Sequence, residues 1–192
     1  MRCIIPTICF LLLSSIVQGQ NTGTKWYSEN ETNGVIIQNS FPKGGPYTGP
    51  TTEHFNHSYL VFYTRVVNKN EHPIEINVSF AADSIAIPHS PHTFVKVFLP
   101  EDRMTLEKQN LFSYGITQLG SFDKSTSFQR TIPPKGDGMF YTVAFFYQTK
   151  DNFLSEEKGG NRVEYIFDGR NLLFNMLPQI DALPSGQIIL NK

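Results

Sequence analysis

Residues 58–80 read SYLVFYTRVVNKNEHPIEINVSF, and this stretch decides the fold class. Residues 58–68 carry apolar side chains on both alternating faces, which is typical of a strand in the centre of a sheet. The Asn- and Pro-containing residues 68–73 predict a turn. Residues 74–81 then alternate strictly between apolar and polar side chains, as a half-buried antiparallel strand does. We therefore expect two consecutive strands joined as a hairpin.

The same strand signals recur along the chain. Residues 139–147 are again apolar on both faces, which predicts a second buried strand. Asp168-Gly169 lies between two apolar runs and indicates another hairpin. Residues 187–190 predict a last strand at a sheet edge. About eight or nine short strands separated by turn signals favour an all-β, antiparallel β-sandwich with little helix.

One short helix is expected between residue 102 or 105 and residue 113, with Asp102 or Thr105 as its N-terminal capping residue. Three side chains are expected to anchor it to the core: Leu111, Phe112 and Tyr114. Residues 42–50 are dense in Pro and Gly and predict a loop. Residues 150–161 are charged and contain a Gly-Gly pair, which predicts a second, mobile loop.

Two short sequences resemble immunoglobulin-like extracytoplasmic domains. One is the PIEI sequence at 73–76, which follows a strand and an Asn-rich turn. The other is the IPPKG sequence at 132–136, which precedes an aromatic strand. The resemblance concerns architecture alone. It implies an immunoglobulin-like sandwich and assigns no family.

The composition excludes several classes of protein. The chain has 192 residues, of which 40% are hydrophobic, 13% aromatic and 17% charged, with a formal net charge of −1. Abundant aromatic residues and few charges argue against a disordered chain. A net charge near zero argues against a nucleic-acid partner, because nucleic-acid binding requires a basic surface. The length suits a single domain.

Residues 1–19 have the features of a secretory signal peptide: Arg2, an apolar run, and small residues before residue 20. We expect a polar arm at 20–33 and one sandwich domain at 34–192, in a secreted or periplasmic protein. Both cysteines, Cys3 and Cys9, fall inside the signal peptide. The mature chain would then contain no disulfide, cysteine nucleophile or thiolate metal site. No later segment has the ~18 apolar residues of a membrane span.

Four histidines are candidate metal ligands in two HxxH sequences: His54, His57, His89 and His92. Imidazole is a common metal ligand, and both sequences are expected in loops beside strands. The alternative is that they are solvated loop histidines, because residues three apart in a strand point to opposite faces. No cofactor is expected.

Catalytic signatures are weak. The sequence contains no Gly-x-Ser-x-Gly turn for a serine nucleophile, and it places no two carboxylates in one cleft. Glu164 is the least ordinary carboxylate, because it lies within a predicted strand. The sequence favours a non-catalytic protein and leaves an enzyme as the alternative.

Three aromatic residues of the N-terminal part are candidates for stacking on a sugar ring: Trp26, Tyr27 and Tyr47. The alternative is that they simply pack against the core, as most aromatic side chains do. Three Asn-x-Ser/Thr sequences are glycosylation acceptors if the source is eukaryotic: Asn30, Asn56 and Asn77.

The sequence favours a non-catalytic β-sandwich that binds an extracellular protein or a surface glycan, with residues 42–57 and 150–161 as contact regions. Two alternatives are an envelope metal-binding protein or carbohydrate-active enzyme that uses the loop histidines, and a structural matrix or adhesion component.

Overall fold

The structure is a computed structural model, in which the described residues are 25–47, 49, 55–116, 119–120, 123–150 and 162–191. Within these ranges the chain is almost entirely β, and two antiparallel sheets pack face to face. The predicted all-β sandwich with little helix is therefore confirmed. No helix of the described part is long and apolar enough to cross a membrane.

The first sheet contains seven strands. They are β1 (Ser28–Thr32), β2 (Val35–Asn39), β3 (Lys43–Pro46), β4 (Phe55–Asn68), β6 (Ile85–Ala86), β7 (Thr93–Phe98) and β9 (Asp137–Gln148). Their order is β1-β2-β4-β9-β7-β6, and β3 pairs with the part of β4 that β2 leaves free. All of these pairs are antiparallel. The long strands β4 and β9 therefore form the centre of this sheet.

The second sheet contains five strands. They are β5 (Ile74–Phe80), β8 (Thr126–Ile132), β10 (Arg162–Phe167), β11 (Asn171–Leu177) and β12 (Ile180–Leu190). Their order is β10-β11-β12-β5-β8, so β10 and β8 are the two edges. The predicted hairpin around Asp168 is present as β10–β11, and the Asp168 carboxylate accepts hydrogen bonds from the backbone N–H groups of Arg170 and Asn171.

The apolar character of both faces of β4 and β9 has a structural cause. One face of β4, which carries Phe62 and Val66, packs in the core between the two sheets. The other face, which carries Val61 and Tyr63, packs under a segment that crosses the outside of the first sheet. This covering segment consists of residues 99–116 and 119 and contributes four buried side chains to the apolar cluster on this face: Met104, Tyr114, Ile116 and Leu119. The first sheet is thus buried on both sides.

The predicted hairpin between residues 58–68 and 74–81 is wrong. β4 and β5 belong to different sheets, and residues 69–73 cross from one sheet to the other. Asn68 is fully buried at this crossing, and its Nδ2 donates to the carbonyl oxygens of His72 at 2.8 Å and Pro133 at 3.1 Å. These hydrogen bonds connect the start of the crossing segment to its end and to the residue that follows β8. They therefore hold residues 69–73 as an arch between the two sheets.

Three further segments differ from the sequence-based expectation. The last strand β12 is central in its sheet and begins at Ile180, whereas residues 187–190 were expected to form an edge. β1 lies within the expected polar arm, where its pairing with β2 orders it. Residues Lys43–Pro46 form β3 inside the expected loop. The expected loop 150–161 lies outside the described residues except for residue 150.

The expected helix is replaced by two short 3-10 segments, Leu106–Asn110 and Phe112–Gly115. Of the three expected anchors, Tyr114 is 3% exposed, whereas Leu111 is 49% and Phe112 is 77% exposed. The expectation failed because the backbone is left-handed at Ser113 and Tyr114, so no regular helix runs through residues 111–114 and the three side chains do not lie on one helical face.

One edge of the second sheet is joined to the first sheet by a side chain. Asn39 of β2 is buried, and its amide donates to the backbone oxygen of Tyr165 and accepts from the backbone nitrogen of the same residue, both at 3.0 Å. Its Oδ1 also accepts from the Thr64 hydroxyl at 2.9 Å. The β10 edge is therefore hydrogen-bonded to the first sheet at Tyr165.

Candidate binding surface

The three aromatic candidates are partly buried and rest on three different rings. Trp26 meets Tyr63 edge-on with ring centroids 5.6 Å apart, and Tyr47 meets Phe145 edge-on at 5.1 Å. Phe145 pairs with Tyr59 of β4. Tyr59 and Tyr63 are four residues apart on that strand, which corresponds to about 13 Å. These two candidates therefore do not form one continuous platform for a sugar ring.

The third aromatic candidate, Tyr27, has a different neighbour. Its ring meets the ring of Phe41 edge-on, with centroids 5.3 Å apart. Phe41 is itself 44% exposed. Tyr27 thus lies beside an exposed apolar side chain that the sequence did not single out.

Two of the candidate metal ligands lie at the same end of the first sheet. His57 is in β4 and His92 immediately precedes β7, and these strands flank β9. Their backbones are two strand spacings apart, about 10 Å. His89 is exposed in the turn before β7, and His54 lies outside the described residues. Across the described ranges, no group of three or more His, Cys, Asp or Glu side chains could hold a metal ion.

His57 has an aromatic environment. Its ring stacks on Phe145 with centroids 5.7 Å apart, and the ring of Tyr47 lies 6.5 Å away. The backbone oxygen of His57 accepts from the nitrogen of Tyr47 at 2.9 Å. These contacts give His57 a packing role at the end of β3 and β4.

Glu164 is buried through an ion pair with its near neighbour on β10. Its carboxylate lies 3.0 Å from Nε of Arg162 and accepts from Nη2 of the same residue at 3.2 Å. The Glu164 side chain is 5% exposed and that of Arg162 is 55% exposed. A two-point contact with a guanidinium satisfies both carboxylate oxygens, which explains how a charged group tolerates this burial.

The three glycosylation candidates differ in accessibility. Asn56 is exposed at the start of β4, where its Nδ2 donates to Oε1 of Gln148 at 2.6 Å. Asn30 and Asn77 are partly buried within the strands β1 and β5. Of the three side chains, Asn56 is the most accessible.

Sequence reasoning missed an exposed apolar surface on the outside of the first sheet. Its three side chains, which we call the contact patch, are the most exposed large hydrophobic residues on this side: Phe41, Leu111 and Phe112. Hydrogen bonds hold the two segments together, because Nζ of Lys43 donates to the backbone oxygen of Leu111 at 3.0 Å and the Tyr114 hydroxyl donates to that of Phe41. The patch exists only in the folded chain, because Phe41 lies in a different segment of the sequence from Leu111 and Phe112.

The backbone that presents Phe112 is in an unfavourable conformation. Ser113 has φ of 44° and Tyr114 has φ of 54°, and Gly115 follows with φ of 78°. The left-handed region costs a residue with a side chain about 1–2 kcal/mol, so two consecutive non-glycine residues require compensation.

Buried hydrogen bonds supply that compensation. The hydroxyl groups of Ser113 and Tyr59 are 2.8 Å apart, and the Tyr141 hydroxyl donates to the backbone oxygen of Tyr114 at 2.7 Å. The Tyr114 ring also packs edge-on against Tyr63, with centroids 5.0 Å apart. The turn is therefore held firmly by the sheet below it, while Phe112 projects into solvent.

The tyrosines in and below this turn are neutral groups. Burial raises the pKa of Tyr63 and of Tyr141 to about 12, with smaller contributions from their charged or ionisable neighbours. Burial also raises the pKa of Tyr114. All three stay protonated at neutral pH, and the hydroxyl groups of Tyr141 and Tyr114 support the turn as hydrogen-bond donors, whereas Tyr63 contributes its ring contact with Tyr114.

Comparison of the chain with models of known protein families, with curated proteins and with solved structures found no match.

Proposed function

We propose that this protein is a secreted or periplasmic, non-catalytic binding module that recognises a protein partner through the contact patch. The observation that carries the proposal is the 77% exposure of Phe112 on a turn whose unfavourable backbone is fixed by buried hydrogen bonds. An exposed aromatic side chain on a rigid support loses little conformational entropy on binding. Aromatic residues of this kind dominate the energetics of protein interfaces.

The chemistry of the patch favours a protein over a glycan. Leu111 offers neither a flat ring nor a hydrogen-bonding group, and Nζ of Lys43 is engaged by the backbone oxygens of Gln109 and Leu111. An apolar recess in a protein would bury both Leu111 and Phe112, whereas a sugar ring stacked on Phe112 would leave the apolar surface of Leu111 exposed to water. We therefore expect the partner to present an apolar pocket that accepts the Phe112 ring.

Site-specific photo-crosslinking tests the proposal. A photoreactive phenylalanine analogue at position 112 should form a discrete adduct with one protein in the extracellular or envelope fraction of the source cells. The same analogue at position 189 is the matched control, since Ile189 is 40% exposed on a strand of the second sheet. The partner is then identified by mass spectrometry, purified and shown to bind the unmodified chain.

Three outcomes would contradict the proposal. Equal crosslinking from positions 112 and 189 would mean that the patch is not selective. An adduct with a glycan alone would favour carbohydrate recognition, and an adduct with a second copy of this chain alone would favour the structural or adhesive alternative.

A further inference from the structure

A groove of about 480 Å³ runs along the open side of the sandwich, beside the edge strand β8. Its lining includes Leu99, Phe128 and Phe140, with the rings of Phe128 and Phe140 stacked at 5.1 Å. Residues 99–103 form its other wall. The groove shares no residue with the contact patch. Its apolar lining suits a ligand that carries at least one apolar side chain.

The β8 edge leaves backbone groups available. All seven residues of β8 pair with β5 on one side. On the other side, the described residues provide no backbone-to-backbone hydrogen bond to β8, and one side chain reaches its end, where Nδ2 of Asn68 donates to the backbone oxygen of Ile132 at 3.3 Å. In an antiparallel pair, alternate residues direct both N–H and C=O away from the partner strand, so three or four of the seven face the open edge.

The two edges of this sheet are treated differently. At β10, the Asn39 side chain occupies both backbone groups of Tyr165. At β8, the contact from the neighbouring wall is a side chain of the strand itself: the Thr126 hydroxyl accepts from the backbone nitrogen of Leu99 at 2.9 Å. The β10 edge is therefore blocked at its middle by Asn39, whereas the β8 edge before Ile132 opens onto a groove with polar backbone on one side and apolar side chains on the other.

Positive charge lies on the rim of the groove. Arg130 extends over the ring of Phe128, with its guanidinium carbon 5.5 Å from the ring centroid, and Arg103 is exposed on the opposite wall. Neither arginine has an ion pair within the described residues. The third cation of the rim, Lys124, forms an ion pair with Glu101 at 3.5 Å. The rim also carries one carboxylate that is not part of this pair, Asp102, so the two arginines outnumber it.

We propose that this groove binds an extended acidic polypeptide segment, which adds as a further strand to β8. The backbone of the segment would hydrogen-bond with the outward N–H and C=O groups of β8, and its apolar side chains would pack on Phe128 and Phe140. Its carboxylates would pair with the guanidinium groups of Arg103 and Arg130. This surface is independent of the contact patch, so either proposal can fail without the other.

A fluorescence anisotropy titration with synthetic peptides tests the proposal. The probe is a labelled ten-residue peptide in which every second residue is Thr and the positions between are Val and Glu in turn, because Phe128 and Arg130 lie on one face of β8 and the Val and Glu side chains must share the facing side. The control peptide has Lys in place of Glu. The Glu peptide should bind at least about tenfold more tightly, and its affinity should fall as salt rises. The variant R103Q/R130Q should lose about tenfold in affinity for the Glu peptide. The matched variant K25Q/K69Q removes the same charge elsewhere and should bind as the unmodified protein does.

Backbone methylation of the peptide tests strand addition itself. Two versions of the Glu peptide carry N-methyl groups on alternate residues, one version in each of the two phases. Strand addition requires that one version loses binding while the other retains it, because only alternate N–H groups face β8. Equal binding by both versions would overturn strand addition and leave simple charge attraction. Equal affinity for the Glu and Lys peptides, an unchanged affinity of R103Q/R130Q, or no binding of either peptide would overturn the proposal as a whole.

Discussion

The side-chain amide of Asn39 makes the two hydrogen bonds with Tyr165 that a neighbouring strand would make. The sequence offers no sign of this role, because an Asn at the end of a strand is ordinarily read as part of a turn. The partner lies 126 residues away, and the pairing depends on how the two sheets meet.

Replacing Asn39 by Ala should lower the free energy of unfolding by about 2–3 kcal/mol, since it leaves the buried N–H and C=O of Tyr165 without partners. The neighbouring variant Gln38→Ala is the control. Gln38 hydrogen-bonds Glu29 at an exposed position, so its loss should cost less than about 1 kcal/mol. Chemical denaturation of both variants measures the difference, and equal losses would show that the amide does not join the sheets.

The buried tyrosines make stability sensitive to high pH. Burial raises the pKa of Tyr63 and of Tyr141 to about 12 in the folded protein, against about 10 in an unfolded chain. Their contribution is therefore complete below pH 10 and is lost as the pH rises from 10 towards 12, because the unfolded state ionises first. Urea unfolding at pH 8 and pH 11 should show this decline, and Tyr141→Phe should decline less. A decline of equal size in that variant would argue against the assignment.

At the scale of elements, β3 depends on a close approach of two backbones. A Cβ at Gly44 would lie 1.9 Å from the backbone oxygen of Tyr59, whereas a Cβ at Gly45 would meet nothing within 4 Å. Gly44→Ala should destabilise the protein by about 1–3 kcal/mol, the usual cost of overpacking. Gly45→Ala should be neutral or slightly stabilising, because it reduces the entropy of the unfolded chain. Equal effects on the unfolding free energy would contradict the position of β3.

The elements also show what the sequence could and could not predict. Local patterns correctly located several strands: alternating polarity located β5, a run that is apolar on both faces located β9, and the Asp-Gly turn signal located the β10–β11 hairpin. Polarity cannot reveal which strand lies beside which, and for this reason it predicts a hairpin between β4 and β5, which lie in different sheets. The sequence predicts a helix that ends at Ser113, because a local pattern does not reveal a backbone fixed by contacts from Tyr59 and Tyr141.

At the scale of the whole molecule, the second apolar layer explains how a chain expected to have no disulfide could be stable. One core fills the space between the sheets, and another lies between the first sheet and the covering segment. If residues 1–19 are removed on secretion, both cysteines leave with them. The mature chain should then begin at Gln20 by mass spectrometry, and its thermal unfolding midpoint should be the same with and without a reducing agent. A shift of the midpoint would show that a cysteine is retained and bonded.

The proposed function rests on the contact patch. Its members come from two separate segments, one before β3 and one in the covering layer, so a linear sequence gives no reason to group them. Tyr27, one of the binding candidates named from the sequence, contacts the patch through the ring of Phe41.

The affinity of the crosslinked partner for two single variants tests this account most directly. Isothermal titration calorimetry should show that Phe112→Ala weakens binding by about thirtyfold or more, the effect of removing a central aromatic side chain from an interface. Ile189→Ala removes a comparably exposed apolar side chain from the second sheet and should change the affinity by less than about twofold. Equal affinities of the two variants would contradict recognition through the contact patch.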